Sequence, residues 1–158
     1  MHRNEFVAED HAATSRFGLK LAKLISGPVT IALNGTLGAG KTFLAKGIIA
    51  ALGVDRNSIS SPTFTICHEF TGVDWSIYHV DLYRVSDEDE LHELGIEQWI
   101  YGDGITIIEW ADRFSIVNDN CDMNIEITIT GDTQRKFTLY VPDDTRFENV
   151  HELLNAGN

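Results

Sequence analysis

The sequence predicts an α/β fold: a P-loop NTPase-like, mostly parallel sheet with helices on both faces and antiparallel hairpin additions. Three observations carry that expectation. The β-branched apolar run "VTIAL" (29–33) leads through the glycine-rich "GTLGAGKT" (35–42) into the helix-like "FLAKGIIAALG" (43–53), as a buried parallel strand leads into its crossover helix. A second apolar run, "ITII" (105–108), ends in Glu109. Two pairs of segments, 63–70 with 74–83 and 123–130 with 135–141, flank short turn-like stretches and read as hairpins. A layered sheet with helices packed on it accounts for this mixture.

Taken in order, Asp10 caps a first helix that runs to about Ser26, with Ala13, Phe17, Leu21 and Leu24 at helical spacing on one face. Gly27-Pro28 stops it, and 29–33 is a buried strand. A second helix runs from Lys41 to about Leu52 and ends at Gly53. In the first hairpin, strand 74–83 puts Trp75, Ile77, His79, Asp81 and Tyr83 on one face, and Ser76, Tyr78, Val80 and Leu82 on the other. "SDEDELHELG" (86–95) reads as a capped acidic helix or turn, and 104–110 as a strand ending in a carboxylate. The second hairpin turns around Gly131. A last helix near 144–155 carries Phe147, Val150 and Leu154 on one face. With no repeat, low-complexity tract or linker, residues 1–158 read as one P-loop ATPase domain.

Charge narrows the function. The chain of 158 residues has a net charge of −12. Residues 1–56 carry seven Lys/Arg against four Asp/Glu, and residues 57–158 five against twenty. Most of the surface therefore repels a phosphate backbone, and direct nucleic-acid binding over a broad face is not expected. The acidic half is either a solubilising surface or a docking face for a basic partner. No apolar run approaches the roughly 18 residues of a membrane span, and "MHRNEFVAEDHAAT" has no apolar signal segment. Cys67 and Cys121 form no Cys-x-x-Cys pair and read as reduced thiols of a cytoplasmic protein.

The loop at 35–42 is the local exception. It fits G-x-x-x-x-G-K-[ST] through Gly35, Gly40, Lys41 and Thr42. Gly38 and Gly40 can take positive φ and bring the backbone close to an anion. Successive amides of Gly35, Leu37, Gly38, Ala39 and Gly40 then form a nest for phosphate oxygens, reinforced by the helix N-terminus. Lys41 supplies an ammonium to the β- and γ-phosphates, and Thr42 a hydroxyl to Mg²⁺. No Asn-Lys-x-Asp element is present to read guanine, which tilts the nucleotide towards ATP.

Such a site needs an acid at a neighbouring strand end to hold Mg²⁺. Glu109 ends a continuous apolar run and is favoured for the metal. Asp81, on an alternating strand that reads as half-exposed, is then free to orient the attacking water or to join the metal's outer shell. Thr63, beside Pro62 in "SSPTFT", is a third candidate, able to reach Mg²⁺ or the γ-phosphate. His79 is a ligand, a base or a packing residue. Arg84 meets either phosphate charge or the acids at 87–90, and Trp110 is read as core packing.

Together "GTLGAGKT", "SPTFT", "YHVDLYR", "ELGIEQW" and "IIEW", in this order and spacing, resemble the bacterial TsaE (YjeE) family over nearly the whole chain. The resemblance implies a small P-loop ATPase that works with TsaD and TsaB to make threonylcarbamoyladenosine on tRNA, without transferring the threonylcarbamoyl group itself. It implies phosphate and Mg²⁺ roles for Lys41 and Thr42, the Mg²⁺-side acid at Glu109, and the catalytic carboxylate at Asp81. Thr14, near the first helix, and Arg135, in "GDTQRKF", are carried over as nucleotide neighbours. Two departures stand out: Thr36 replaces the family's usual acid, and Arg135 only approximates a Gly-Arg element. A small-molecule P-loop kinase and a non-hydrolysing, nucleotide-gated binding module remain the alternatives.

Overall fold

A computed structural model describes residues 1–156. The strands are β1 (His2–Ala8), β2 (Val29–Gly35), β3 (Cys67–Thr71), β4 (Ser76–Asp81), β5 (Ile105–Glu109), β6 (Met123–Ile129) and β7 (Arg135–Val141). They form one sheet in the order β1-β7-β6-β2-β5-β4-β3. β6, β2, β5 and β4 are parallel neighbours, while β7 and β3 run against the strands beside them. β1 pairs antiparallel with β7, so five of the seven strands share one direction, as the mostly parallel sheet requires.

The helices are α1 (His11–Leu24), α2 (Lys41–Ala51), α3 (Glu88–Leu94), α4 (Ile96–Tyr101), α5 (Ser115–Asn118) and α6 (Val150–Asn155). Strand alternation sorts the core into two layers. Ile31, Leu33, Ile105, Ile107 and Ile125 face α1, α2 and α6. Ala32, Val80, Ile108 and their neighbours face α3, α4 and α5. Helices therefore cover both faces. In the first layer Phe17 of α1 stacks between Phe6 and Phe137, with ring centroids 4.8 and 4.5 Å apart. That contact joins β1 and β7 to α1.

Several boundaries differ from the sequence reading. β1 was not anticipated, because only Phe6 and Ala8 in it are large or small apolar core residues and β7 supplies its pairing. α1 starts as expected, with the Asp10 side chain accepting from the Ala13 amide at 2.7 Å, but stops at Leu24 because Ile25 is extended. The strand expected over 63–70 begins only at Cys67. Residues 63–65 form a turn instead, closed by the Ile66 amide on the Pro62 carbonyl (2.7 Å), with Ile66 itself at φ 67°. Strand 74–83 shortens to 76–81. The helix expected near 144–155 is a 3-10 turn at Thr145–Phe147 followed by α6. No helix among the described residues is long and apolar enough to cross a membrane.

Candidate nucleotide site

The site lies at the carboxyl ends of β2, β5 and β4, where an open parallel sheet receives its ligands. The loop after β2 turns on Gly38 and Gly40, at φ 77° and 106°, and delivers α2 with Lys41 as its first residue. The first amides of α2 have no partner within the helix and point outward from its positive end. The Lys41 ammonium donates to the carbonyls of Gly35 (2.7 Å) and Thr36 (2.9 Å) and lies 3.7 Å from the centre of the Trp110 ring. Lys41 is only 4% exposed, and this burial lowers its pKa against the opposing pull of Glu109, Asp112 and Asp81.

Next in α2, Thr42 Oγ1 donates to Glu109 Oε1 at 2.6 Å. The other carboxylate oxygen, Oε2, is 2.7 Å from Nε2 of His79, a fully buried ring. Parallel pairing sets Asp81 directly beside Glu109. Asp81 accepts from the Tyr83 amide (2.9 Å) and from the Thr63 hydroxyl (3.3 Å). Contrary to its half-exposed reading, Asp81 is buried, at 4% exposure. Alternation along β4 suggested a solvated face, but the 62–66 turn lies against that end of the strand, where the Asp81 amide donates to the Ile66 carbonyl at 2.8 Å and the Thr63 hydroxyl meets its side chain. Burial raises the Asp81 pKa; the Tyr83 amide opposes the shift and nearby Glu109 adds to it.

These groups wall a cavity of about 300 Å³ that reaches from Gly38, Lys41 and Thr42 to Thr63, Asp81 and Glu109. Exposed Leu37 and Tyr83 stand at the same cavity. Its chemistry is an ammonium, a helix N-terminus, two carboxylates and two hydroxyls. Thr42 and Glu109 are hard oxygen ligands of the kind Mg²⁺ takes. Among the described residues no set of three or more His, Cys, Asp or Glu forms a metal site alone. Magnesium typically takes one or two carboxylates and completes its shell with substrate phosphates and water, so this donor set fits it.

The structure brings together Lys41 and Thr42 with Thr63, Asp81 and Glu109, from four separate stretches of the sequence. Four other candidates, Thr14, Gly35, Ala39 and Arg135, stand outside the cavity wall. The Thr14 hydroxyl is buried in α1, 3.5 Å from the Asp10 carbonyl. Arg135 donates to the loop carbonyl of Ala39 (2.9 Å) and to its own turn at Gly131 and Gln134, with a longer contact to Gly38. It braces the phosphate loop from behind. Ala39 is fully buried and Gly35 is absent from the cavity wall. Arg84 stacks over the exposed Phe64 ring at 4.3 Å, away from the acids at 87–90.

Sequence reasoning missed two neighbours. Trp110 is not plain core packing: at φ 61° it turns its ring over Lys41 and against Tyr83. Arg113 donates to the carbonyls of Leu82 and Tyr83, tying the segment after β5 to the one after β4. An aromatic directly after a strand-end acid was the available signal for Trp110; nothing local marked Arg113. Thiol chemistry is disfavoured, since burial pushes Cys67 to about 11 and Cys121 to about 12.

Comparison with known proteins identifies a family. The family model described as "TsaE: Threonylcarbamoyl adenosine biosynthesis protein TsaE" matches residues 8–137. The protein of that name from Aquifex aeolicus is 36% identical over 137 residues, covering 86% of this chain and 95% of its own. The Treponema pallidum protein is 31% identical over 126 residues, covering 80% and 92%. The crystal structure of Bacillus subtilis YdiB superposes with a TM-score of 0.65 at 27% identity, covering 97% of this chain and 91% of that one.

Proposed function

This chain belongs to the TsaE family and acts in tRNA threonylcarbamoyladenosine biosynthesis; on that premise we propose that it is the pathway's Mg²⁺-dependent ATPase, a single cytoplasmic domain that binds TsaD and TsaB and leaves transfer of the group to them. One observation carries the reading: Thr42 and Glu109, from the loop helix and the neighbouring strand end, meet at 2.6 Å beside Lys41, with Asp81 next in the sheet. A turn that merely joined strand to helix would not need a buried carboxylate there.

The residues divide the work. Lys41 and the amides from Gly38 to Thr42 bind the β- and γ-phosphates. Thr42 and Glu109 hold Mg²⁺, which when bound neutralises charge on those phosphates. Asp81, at hydrogen-bond reach of Thr63, orients the attacking water and takes its proton; burial, which raises its pKa, makes it a stronger proton acceptor. Arg135 stands behind the loop and holds it by the Ala39 carbonyl.

The cavity is open on the side of Leu37 and Tyr83, and water in an open site weakens every electrostatic contribution to the transition state. The chain alone therefore binds ATP and hydrolyses it slowly, and docking on TsaD–TsaB excludes water. Phosphate release from the chain, from TsaD–TsaB and from their mixture tests this. The expected result is a rate in the mixture well above the sum of the parts. A simple sum, with no ATP-dependent complex by light scattering, overturns the assignment.

A further inference from the structure

The nucleotide-site reading leaves His79 without a task. Its ring is fully buried. One nitrogen, Nε2, is 2.7 Å from Glu109 Oε2, and the other, Nδ1, is buried with no hydrogen-bond partner. Its cross-strand neighbour on β3, His68, does not supply one, because the His68 ring turns to Ser60 (3.3 Å) and Thr65 (2.6 Å). A packing residue in this position would be apolar: leucine or methionine fills the space and orphans no nitrogen. Packing therefore does not account for an imidazole here. The contact to Glu109 does.

Glu109 needs such a contact. Its backbone is paired on both sides at the last position of β5, but its side chain has three rotatable bonds that pairing does not set. Two groups fix it. The Thr42 hydroxyl takes Oε1, and a ligand metal would compete for that same oxygen and hydroxyl. Among the described residues, the hydrogen bond that holds the Glu109 side chain besides that of Thr42 is the one from His79 on Oε2. A carboxylate oxygen accepts, so the ring donates its Nε2 hydrogen. The register makes the contact possible: Asp81 pairs with Glu109, so His79 sits two residues lower on the same side of β4.

We infer that His79 is the positioning residue of the metal-side carboxylate, holding Glu109 by Oε2 so that Oε1 stays beside Thr42 for Mg²⁺. The inference rests on the nucleotide reading above and adds a residue to it. His79 touches neither nucleotide nor metal and acts only through Glu109. Outer-shell partners of this kind typically change metal affinity by about 10–100-fold when removed.

The test measures binding rather than turnover. Affinity for a non-hydrolysable ATP analogue is determined by calorimetry in Mg²⁺ and in EDTA for the wild type, His79→Leu and His79→Gln. Gln reaches about as far as Nε2 and keeps a donor there. The expected result is a wild-type Mg²⁺-to-EDTA affinity ratio that falls about 10-fold or more in His79→Leu and is largely restored in His79→Gln. Affinity in EDTA stays the same in all three, and His79→Leu folds, with the lower melting temperature expected of a buried carboxylate oxygen left without its donor. An undiminished ratio in a folded His79→Leu overturns the inference. So does an equal fall in both variants, or failure of His79→Leu and His79→Met to fold, since each makes the ring a structural residue. If the wild type binds no nucleotide in either buffer, the proposed function itself fails, which is a distinct result.

Discussion

Replacing Asp81 by Asn separates catalysis from folding at one position. Asn is nearly isosteric. Its carbonyl oxygen can still accept from the Tyr83 amide, and its amide faces the Thr63 hydroxyl in place of the second carboxylate oxygen. Hydrogen bonds of this kind contribute about 0.5–1.5 kcal/mol each, and neither has to be lost. The pH dependence adds a sign. Burial and Glu109 hold the Asp81 pKa above its ordinary value. An acid raised on folding is protonated in both states at low pH and destabilises the fold as pH climbs from its unfolded value through its folded one. Asn never ionises, so at pH 8 the variant should be at least as stable as the wild type. The difference should shrink as pH falls towards about 4, the unfolded carboxylate range. Turnover should behave oppositely. Loss of a positioned proton acceptor typically costs about 10²–10⁴-fold in rate, or about 2.7–5.4 kcal/mol of barrier, while affinity for the analogue holds. Urea unfolding at pH 5 and pH 8 and phosphate release with TsaD–TsaB read the two effects. Wild-type turnover would refute the role of Asp81 in proton transfer. A variant less stable than the wild type by more than about 1 kcal/mol at pH 8 would refute the account of its burial.

Other perturbations read separate parts of the site. Glu109→Gln should leave metal-free nucleotide binding intact and raise the Mg²⁺ concentration needed for turnover, measured by Mg²⁺ titration of phosphate release; an unchanged requirement excludes Glu109 from the metal. Lys41→Ala should weaken the ATP analogue by about 10–100-fold, the value of about 1.5–3 kcal/mol for a charge-assisted contact, and calorimetry showing equal affinity removes Lys41 from the site. At Gly35, where φ is 149°, a Cβ would lie 2.7 Å from the Ile127 carbonyl oxygen and 3.1 Å from Ala39 Cβ. Gly35→Ala should therefore lose about 1–3 kcal/mol in chemical denaturation, and wild-type stability would show that β2 and β6 can part there freely.

How much was legible from the chain depends on the range of the interaction. The phosphate loop was readable because its work is local: glycines at fixed offsets set its φ values, and the helix that follows aims its own amides. Glu109 was readable because an uninterrupted apolar run can only be a strand covered on both faces, and a carboxylate at its end demands a purpose. The capped helix after Asp87 and both hairpins rest on equally short-range signals. The interactions that join these pieces were not readable. The side of β4 that carries His79 and Asp81 is set by alternation, but the burial of Asp81 comes with the 62–66 turn lying against it, which periodicity along β4 does not report. His79 finds Glu109 because β4 and β5 pair in parallel with Asp81 opposite Glu109; a one-residue slip would turn both away. Trp110 over Lys41, Arg113 on the Leu82 and Tyr83 carbonyls, and Arg135 on the loop carbonyl of Ala39 arise in the same way. The sequence alone supplied the candidate groups of the site, since composition and local geometry are written residue by residue. Tertiary structure decided which of those groups touch, because strand order and register, not spacing along the chain, set the distances between them.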